Sequence, residues 1–212
     1  MLHLIAHRGY WLCPSEKNTA TAFSRALAHG FGIETDFRDH DGHLVVSHDI
    51  PHAGVMTANE FSDLYQACPV TAPIALNIKS DGLQDLVGNL IIRTTFQNAF
   101  VFDMAVPDMR SYIQKGIITY TRLSEHETVP VLLESCQGVW LDAFNNIWYD
   151  LSLVQMLLGK GKSVAIVSPE LHGRPYQDLW RWLKESNLYQ NSLVSLCTDL
   201  PLQAKEFFDV KN

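Results

Sequence analysis

Paired cysteines, an excess of basic charge and long apolar runs are all missing from this sequence. Cys13, Cys68, Cys136 and Cys197 are widely scattered with no C-x-x-C spacing, which argues against a zinc or disulfide framework and predicts four reduced thiols. Lys and Arg number 16 against 23 Asp and Glu, a formal net charge of -7. A field of that sign disfavours nucleic acid and anionic membrane surfaces, so an anionic ligand would need a local cationic pocket. No window approaches the roughly 20 apolar residues that cross a bilayer. The opening MLHLIAHRG lacks a basic stretch followed by a signal-peptide core, and a cytoplasmic address is the default expectation. No Gly-x-Gly-x-x-Gly follows the first apolar run and there is no P-loop, which disfavours an open nucleotide-binding sheet. With no repeat or low-complexity tract, disorder is expected only in the final DVKN, residues 209–212.

The 212 residues, 47% apolar and 18% charged, suffice for a full-sized core, and the even composition predicts one domain over 1–212. Short β-rich apolar runs fall at 2–7, 32–37, 73–79, 99–104, 117–123, 138–144, 163–170 and 192–199. Most are separated by segments of helical period, such as NTATAFSRALAHG ending on Gly30 and VPDMRSYIQKG ending on Gly116. Alternating βα units with right-handed crossovers close most simply as an α/β (β/α)8 TIM barrel. One segment breaks the alternation. DHDGHLVVSHDIP pairs an Asp-Gly turn with an alternating apolar run, which predicts a small β-hairpin insertion after the second strand.

The C-terminal ends of these runs carry His7, Glu34, Asp36, Asn77, Lys79, Asp103, Arg122, Asp142, Glu170 and Asp199. Strand residues two apart share a face, so Glu34 pairs with Asp36 and Asn77 with Lys79. Burying so many unpaired charges would cost on the order of several kcal/mol each, whereas the C-terminal mouth of a barrel is where active sites are built. Structural roles compete with this: Asp103, Asp142 and Asp199 suit helix N-caps, and Arg122 has Glu125 and Glu127 within reach.

Five segments in order, HRG, NTATAFSRALAHGFGIETD, DGHLVVSHD, LNIK and CTDLP, resemble the glycerophosphodiester phosphodiesterase family, densely over residues 4–49 and more thinly beyond 79. The resemblance implies a (β/α)8 barrel and metal-dependent cleavage of a small phosphodiester. Position by position it implies that His7 and His48 are the acid/base pair, that Arg8 and Lys79 contact the phosphate, and that Glu34 and Asp36 hold a divalent cation, Mg²⁺ or Ca²⁺. The chemistry suits these types: hard carboxylate oxygens for a hard cation, and two imidazoles to take and give a proton. The attacker is either water or the substrate's own hydroxyl, which would make the protein a lyase releasing a cyclic phosphate. Two departures stand out. Asn77 occupies the family's third ligand position, removing a negative charge, and Glu170, then Asp103, are the carboxylates to replace it. Lys17 precedes Asn18 where the family has Glu, and with Arg174 it would add positive charge at the mouth. A non-catalytic binder of a phosphorylated metabolite is the alternative class. WLDAFNNIWYD is a candidate wall for a sugar or apolar substituent.

Overall fold

The structure, a computed structural model, describes residues 2–209; Val210–Asn212, most of the segment expected to be disordered, lie outside it. Its strands are β1 (His3–His7), β2 (Gly32–His40), β3 (His43–Val46), β4 (Ile74–Ile78), β5 (Ala99–Phe102), β6 (Tyr120–Leu123), β7 (Gly138–Leu141), β8 (Ser163–Val167) and β9 (Val194–Thr198). Its helices are α1 (Ala20–Ala28), α2 (Ala58–Ala67), α3 (Gln84–Thr94), α4 (Val106–Gln114), α5 (Leu151–Gly159), α6 (Gln177–Glu185) and α7 (Pro201–Asp209). The sheet order is β5-β4-β2-β1-β9-β8-β7-β6, with every adjacent pair on this path parallel. β5 meets β6 through a single Val101–Thr119 bridge, where Val101 N–H donates to Ile118 O at 2.9 Å. The result is a nearly closed eight-stranded parallel barrel, as the alternation of patterns predicts. β2 runs on to His40 and pairs antiparallel with β3 across Asp41-Gly42. No described helix is long and apolar enough to cross a membrane.

Helix limits follow local chemistry. The Thr19 side chain caps α1 by accepting from Ala22 N–H, and Thr57 with Glu60 forms a reciprocal capping box on α2, each supplying partners for otherwise orphaned first-turn donors. Between β6 and β7 a short 3₁₀ turn, Leu133–Ser135, stands where a full helix completes the other crossovers; Pro130 interrupts that segment. β8 ends at Val167, three residues short of the expected 170, because Pro169 cannot continue the ladder. Glu170 therefore sits on a 3₁₀ turn, Pro169–His172, and not on the strand.

Strand register decides which side chains enter the barrel. Ile5, Ala75, Phe100, Phe102, Tyr120, Trp140, Ala165, Val167 and Cys197 form the interior cluster. Phe100 stacks on Tyr120 at 3.7 Å and Phe102 on Trp140 at 4.0 Å between ring centroids, so aromatic faces plug the barrel centre. Gly138 permits this: a Cβ there would lie 2.5 Å from the Tyr120 ring. The next inward positions along the same strands are His7 after Ile5, Asn77 after Ala75, Arg122 after Tyr120, Asp142 after Trp140 and Asp199 after Cys197. Glu34 is in register with His7, and Asp36 with Asn77. The charges foreseen at the strand ends thus crown an aromatic floor.

Candidate active site at the barrel mouth

At the end of β1 the chain turns through Arg8 (φ 56) and Gly9 (φ 86). Glycine is needed because a Cβ at this position would sit 2.8 Å from Ala22 Cβ as well as in a strained conformation. The turn aims the Arg8 N–H at Glu34, 2.9 Å from its carbonyl oxygen and 3.3 Å from Oε2. His7 is held by Asp199, Nδ1 to Oδ1 at 2.7 Å, with Nε2 3.8 Å from Glu34 Oε2. A carboxylate at Nδ1 favours the proton there and leaves Nε2 as the basic nitrogen. Asp199, an N-cap candidate by sequence, instead orients His7.

Glu34 and Asp36 are buried, 1% and 0% exposed. Burial, reinforced by the Asp36 charge, pushes the Glu34 carboxyl above the usual range, against the pull of His7, Asn77 and Arg8. Asn77 Nδ2 donates to Glu34 Oε1 at 3.1 Å. Asp36 accepts from Asn18 Nδ2 at 2.9 Å and lies 3.2 Å from Arg8 Nε and 3.6 Å from Lys79 Nζ. Asn18, quoted within a motif but given no role by sequence, also accepts from Thr35 Oγ1 at 3.0 Å, which fixes its amide. Its φ of 59 is the local sign that it is a placed residue. Lys79 Nζ reaches Asp103 at 3.1 Å, Asp103 pairs with Arg122, and Arg122 pairs with Glu127, the structural partner foreseen for it.

Glu170 borders this group through the backbone of Asp199. Its carboxylate accepts from Ser168, Thr198 and, at 3.2 Å, the Asp199 N–H, so it ties the ends of β8 and β9 together. His48 is reached by the other flank of the mouth, where a cleft of about 960 Å³ is lined by Arg8, Lys17, Asn18 and His48 among others. Its Nδ1 lies 2.8 Å from Asp49 Oδ1, a pair far more exposed than His7–Asp199. His7 is not among the residues lining that cleft. Lys17 joins the mouth, with Nζ 3.9 Å from Asp199 Oδ2 and 4.4 Å from the centroid of the Trp11 ring. Asp142, another supposed cap, receives His172 Nε2 at 2.7 Å, while Asp150 caps α5.

Among the described residues no three His, Cys, Asp or Glu side chains gather as a metal cluster. What the mouth offers is two buried carboxylates on one face of β2 beside an amide. Asn77 Oδ1 is buried without a hydrogen-bond partner, whereas Asp36 Oδ1, which accepts no hydrogen bond either, has the Lys79 ammonium 3.6 Å away. An orphaned buried oxygen is costly unless something electropositive meets it. This donor set fits a hard divalent cation bound through oxygen.

No protein-family profile and no curated protein matches the chain. Solved structures do. A candidate glycerophosphodiester phosphodiesterase from Galdieria sulphuraria superposes with a TM-score of 0.77 at 16% identity, covering 99% of this chain and 98% of that one. A phosphodiesterase from Oleispira antarctica, in complex with the product sn-glycerol-3-phosphate, gives 0.71 at 16% identity over 98% and 97% of the two chains. The glycerophosphodiester phosphodiesterase of Agrobacterium tumefaciens gives 0.68 at 14% over 99% and 100%. This chain shares their barrel fold over 98–99% of its length.

Proposed function

We propose that the protein is a divergent glycerophosphodiester phosphodiesterase, a phosphoric diester hydrolase that cleaves a small phosphodiester with the help of a divalent cation, Mg²⁺ or Ca²⁺. The observation that carries this reading is the meeting, at one mouth, of the Asp199-oriented imidazole of His7 with the Glu34, Asp36 and Asn77 oxygens and the cations of Arg8 and Lys79. Sequence motifs and fold likeness point to the same family independently. Two of the similar structures add weight by their contents: one holds sn-glycerol-3-phosphate, and a phosphatidylinositol-specific phospholipase C from Streptomyces antibioticus, TM-score 0.54, is described as Ca²⁺-dependent.

Held by Glu34, Asp36 and Asn77, the cation would polarise a phosphoryl oxygen and offset the charge that builds there. Arg8 and Lys79 would bind the other phosphoryl oxygens by charge-assisted hydrogen bonds. His7 Nε2 would exchange a proton with one of the two alcohol oxygens, and Asp199 would stabilise the imidazolium so formed. His48, across the cleft beside Arg8, would serve the second oxygen. Each proton transfer is worth about 10²–10⁴-fold. Turnover should be measured on glycerophosphocholine and bis(p-nitrophenyl) phosphate with Mg²⁺, Ca²⁺ or Mn²⁺. Activity that disappears with chelator and with His7→Ala supports the reading; no turnover with any cation, or turnover indifferent to His7→Ala, defeats it. Phosphorus NMR of the product separates hydrolysis from release of a cyclic phosphate. A non-catalytic binder of a phosphorylated metabolite is the second reading, favoured by Asn77 in the third ligand position and by the Arg8 and Lys79 charges already set against Asp36.

A further inference from the structure

The flank of the mouth built by β6, β7 and β8 carries a ring for which acid/base chemistry has no use. Phe144, in the loop between β7 and α5, is 39% exposed. One exposed ring is ordinary on any surface, but this one is held from several sides. Its backbone N–H and that of Asn145 donate to the two Glu125 carboxylate oxygens, at 3.0 and 2.6 Å. Arg174 donates from Nη2 to Ala143 O. The His172 ring packs against Phe144 at 4.7 Å between centroids and the His126 ring at 5.6 Å. His172 is itself fixed by buried Asp142. Loops from three strands are therefore cross-linked around a single half-open aromatic face, the arrangement by which rigid scaffolds present binding residues.

The ring is linked to the proposed reaction site through its neighbour His172, whose partner Asp142 is the inward residue following β7. Leu171, adjacent to His172 in the chain, packs onto the barrel's interior cluster. Glu170, on the same turn, accepts from the N–H of Asp199, the residue that orients His7.

We propose that Phe144, flanked by His126 and His172, is a stacking platform for a cyclic polyol, a sugar or cyclitol ring, carried by the alcohol that departs from the phosphodiester. The class rests on the phosphodiesterase reading above and is chosen by the neighbours of the ring. The C–H edges of such a ring are electropositive and settle on the negative face of an aromatic. Its hydroxyls then fall at the rim, where the remaining nitrogen of His172 and the exposed Asn145 amide can meet them. An acyl chain would want a continuous apolar groove, yet the ring's neighbours are two imidazoles and a carboxylate. A quaternary ammonium would want a cage of several aromatic faces, whereas one half-open phenyl ring flanked by two imidazoles offers a single platform.

The test is calorimetric binding of glucose 1-phosphate and myo-inositol 1-phosphate against sn-glycerol 3-phosphate, in the presence of Mg²⁺, alongside turnover of the corresponding glycerol and cyclic-polyol diesters. Wild type should bind at least one cyclic ligand about tenfold more tightly than the glycerol ligand, Phe144→Ala should erase that ratio and Phe144→Tyr should restore it, as expected for one aromatic contact. A ratio near one in wild type, or a ratio unchanged by Phe144→Ala, overturns the platform. Turnover of glycerol diesters with a ratio near one defeats the platform and leaves the phosphodiesterase reading standing. A Phe144-dependent ratio without any turnover defeats that reading and leaves the platform.

Discussion

The two histidines proposed for proton transfer each pair with a carboxylate, and the hydrogen bonds are nearly the same length: 2.7 Å for His7–Asp199 and 2.8 Å for His48–Asp49. Their surroundings differ. His7 and Asp199 side chains are 15% and 13% exposed, whereas those of His48 and Asp49 are 45% and 92% exposed. Water screens the second pair and competes for its hydrogen bond, so geometry alone overstates it. The first pair lies in a lower dielectric, where a charge forming on the imidazole is worth more and a missing partner costs more. His7 with Asp199 should therefore act as a unit, and His48 largely as a lone imidazole whose pairing with Asp49 is incidental.

The largest expected effect is at His7. His7→Ala should lower kcat by about 10³-fold, and Asp199→Asn by about 10²-fold through loss of orientation. Equal effects of Asp199→Asn and Asp49→Asn would break the distinction between the pairs. Glu34→Gln comes next, with a loss of about 10²-fold in kcat/KM and an opposite effect on stability. Because the folded protein holds the Glu34 carboxyl above its ordinary value by burial and the Asp36 charge, the folded state keeps the proton longer than the unfolded chain. Stability of the metal-free protein is then lost as pH rises from the ordinary glutamate range through the raised one. The glutamine variant, which retains an oxygen for Asn77, should escape that loss; chemical denaturation of both proteins at pH 4 and pH 8 should show its relative stability growing with pH. If the variant is less stable at pH 8 than at pH 4 relative to wild type, Glu34 is ionised and well paired.

Asn77→Asp restores a charge to the proposed cation site and should tighten Mg²⁺ or Ca²⁺ binding by about tenfold, read by calorimetry or by the metal dependence of rate. A weaker site would mean that the Glu34–Asn77 hydrogen bond matters more than the added charge. Asp49→Asn is the smallest: within about twofold of wild type in kcat, as for an exposed pair.

Much of this arrangement was legible in the order of residues. Period-2 and period-3.6 patterns, with Gly30 and Gly116 as stops, sufficed for the barrel. The i, i+2 spacing paired Glu34 with Asp36 and Asn77 with Lys79, and in the structure Asn77 meets Glu34 and Lys79 meets Asp36. Three things were not legible. Glu170 lay on an expected strand, but Pro169 ended that strand early and turned its carboxylate onto Ser168, Thr198 and Asp199. Asp142 and Asp199 carry the sequence marks of helix caps, since an Asp before a helical segment reads the same whether its oxygen meets a backbone N–H or an imidazole 192 positions away. Asn18 was visible only as part of a motif, because nothing local says that its amide will reach Asp36.

The sequence by itself determined the barrel class, which faces of which strands turn inward, and the chemical types gathered at the strand ends, because backbone periodicity and side-chain parity are local properties that accumulate along the chain. Only the tertiary structure decided which histidine has a sheltered partner, which carboxylates are set against cations and which are tied into the frame. Those outcomes depend on contacts between residues far apart in sequence and on the water excluded around them, and neither is written in any short stretch of residues.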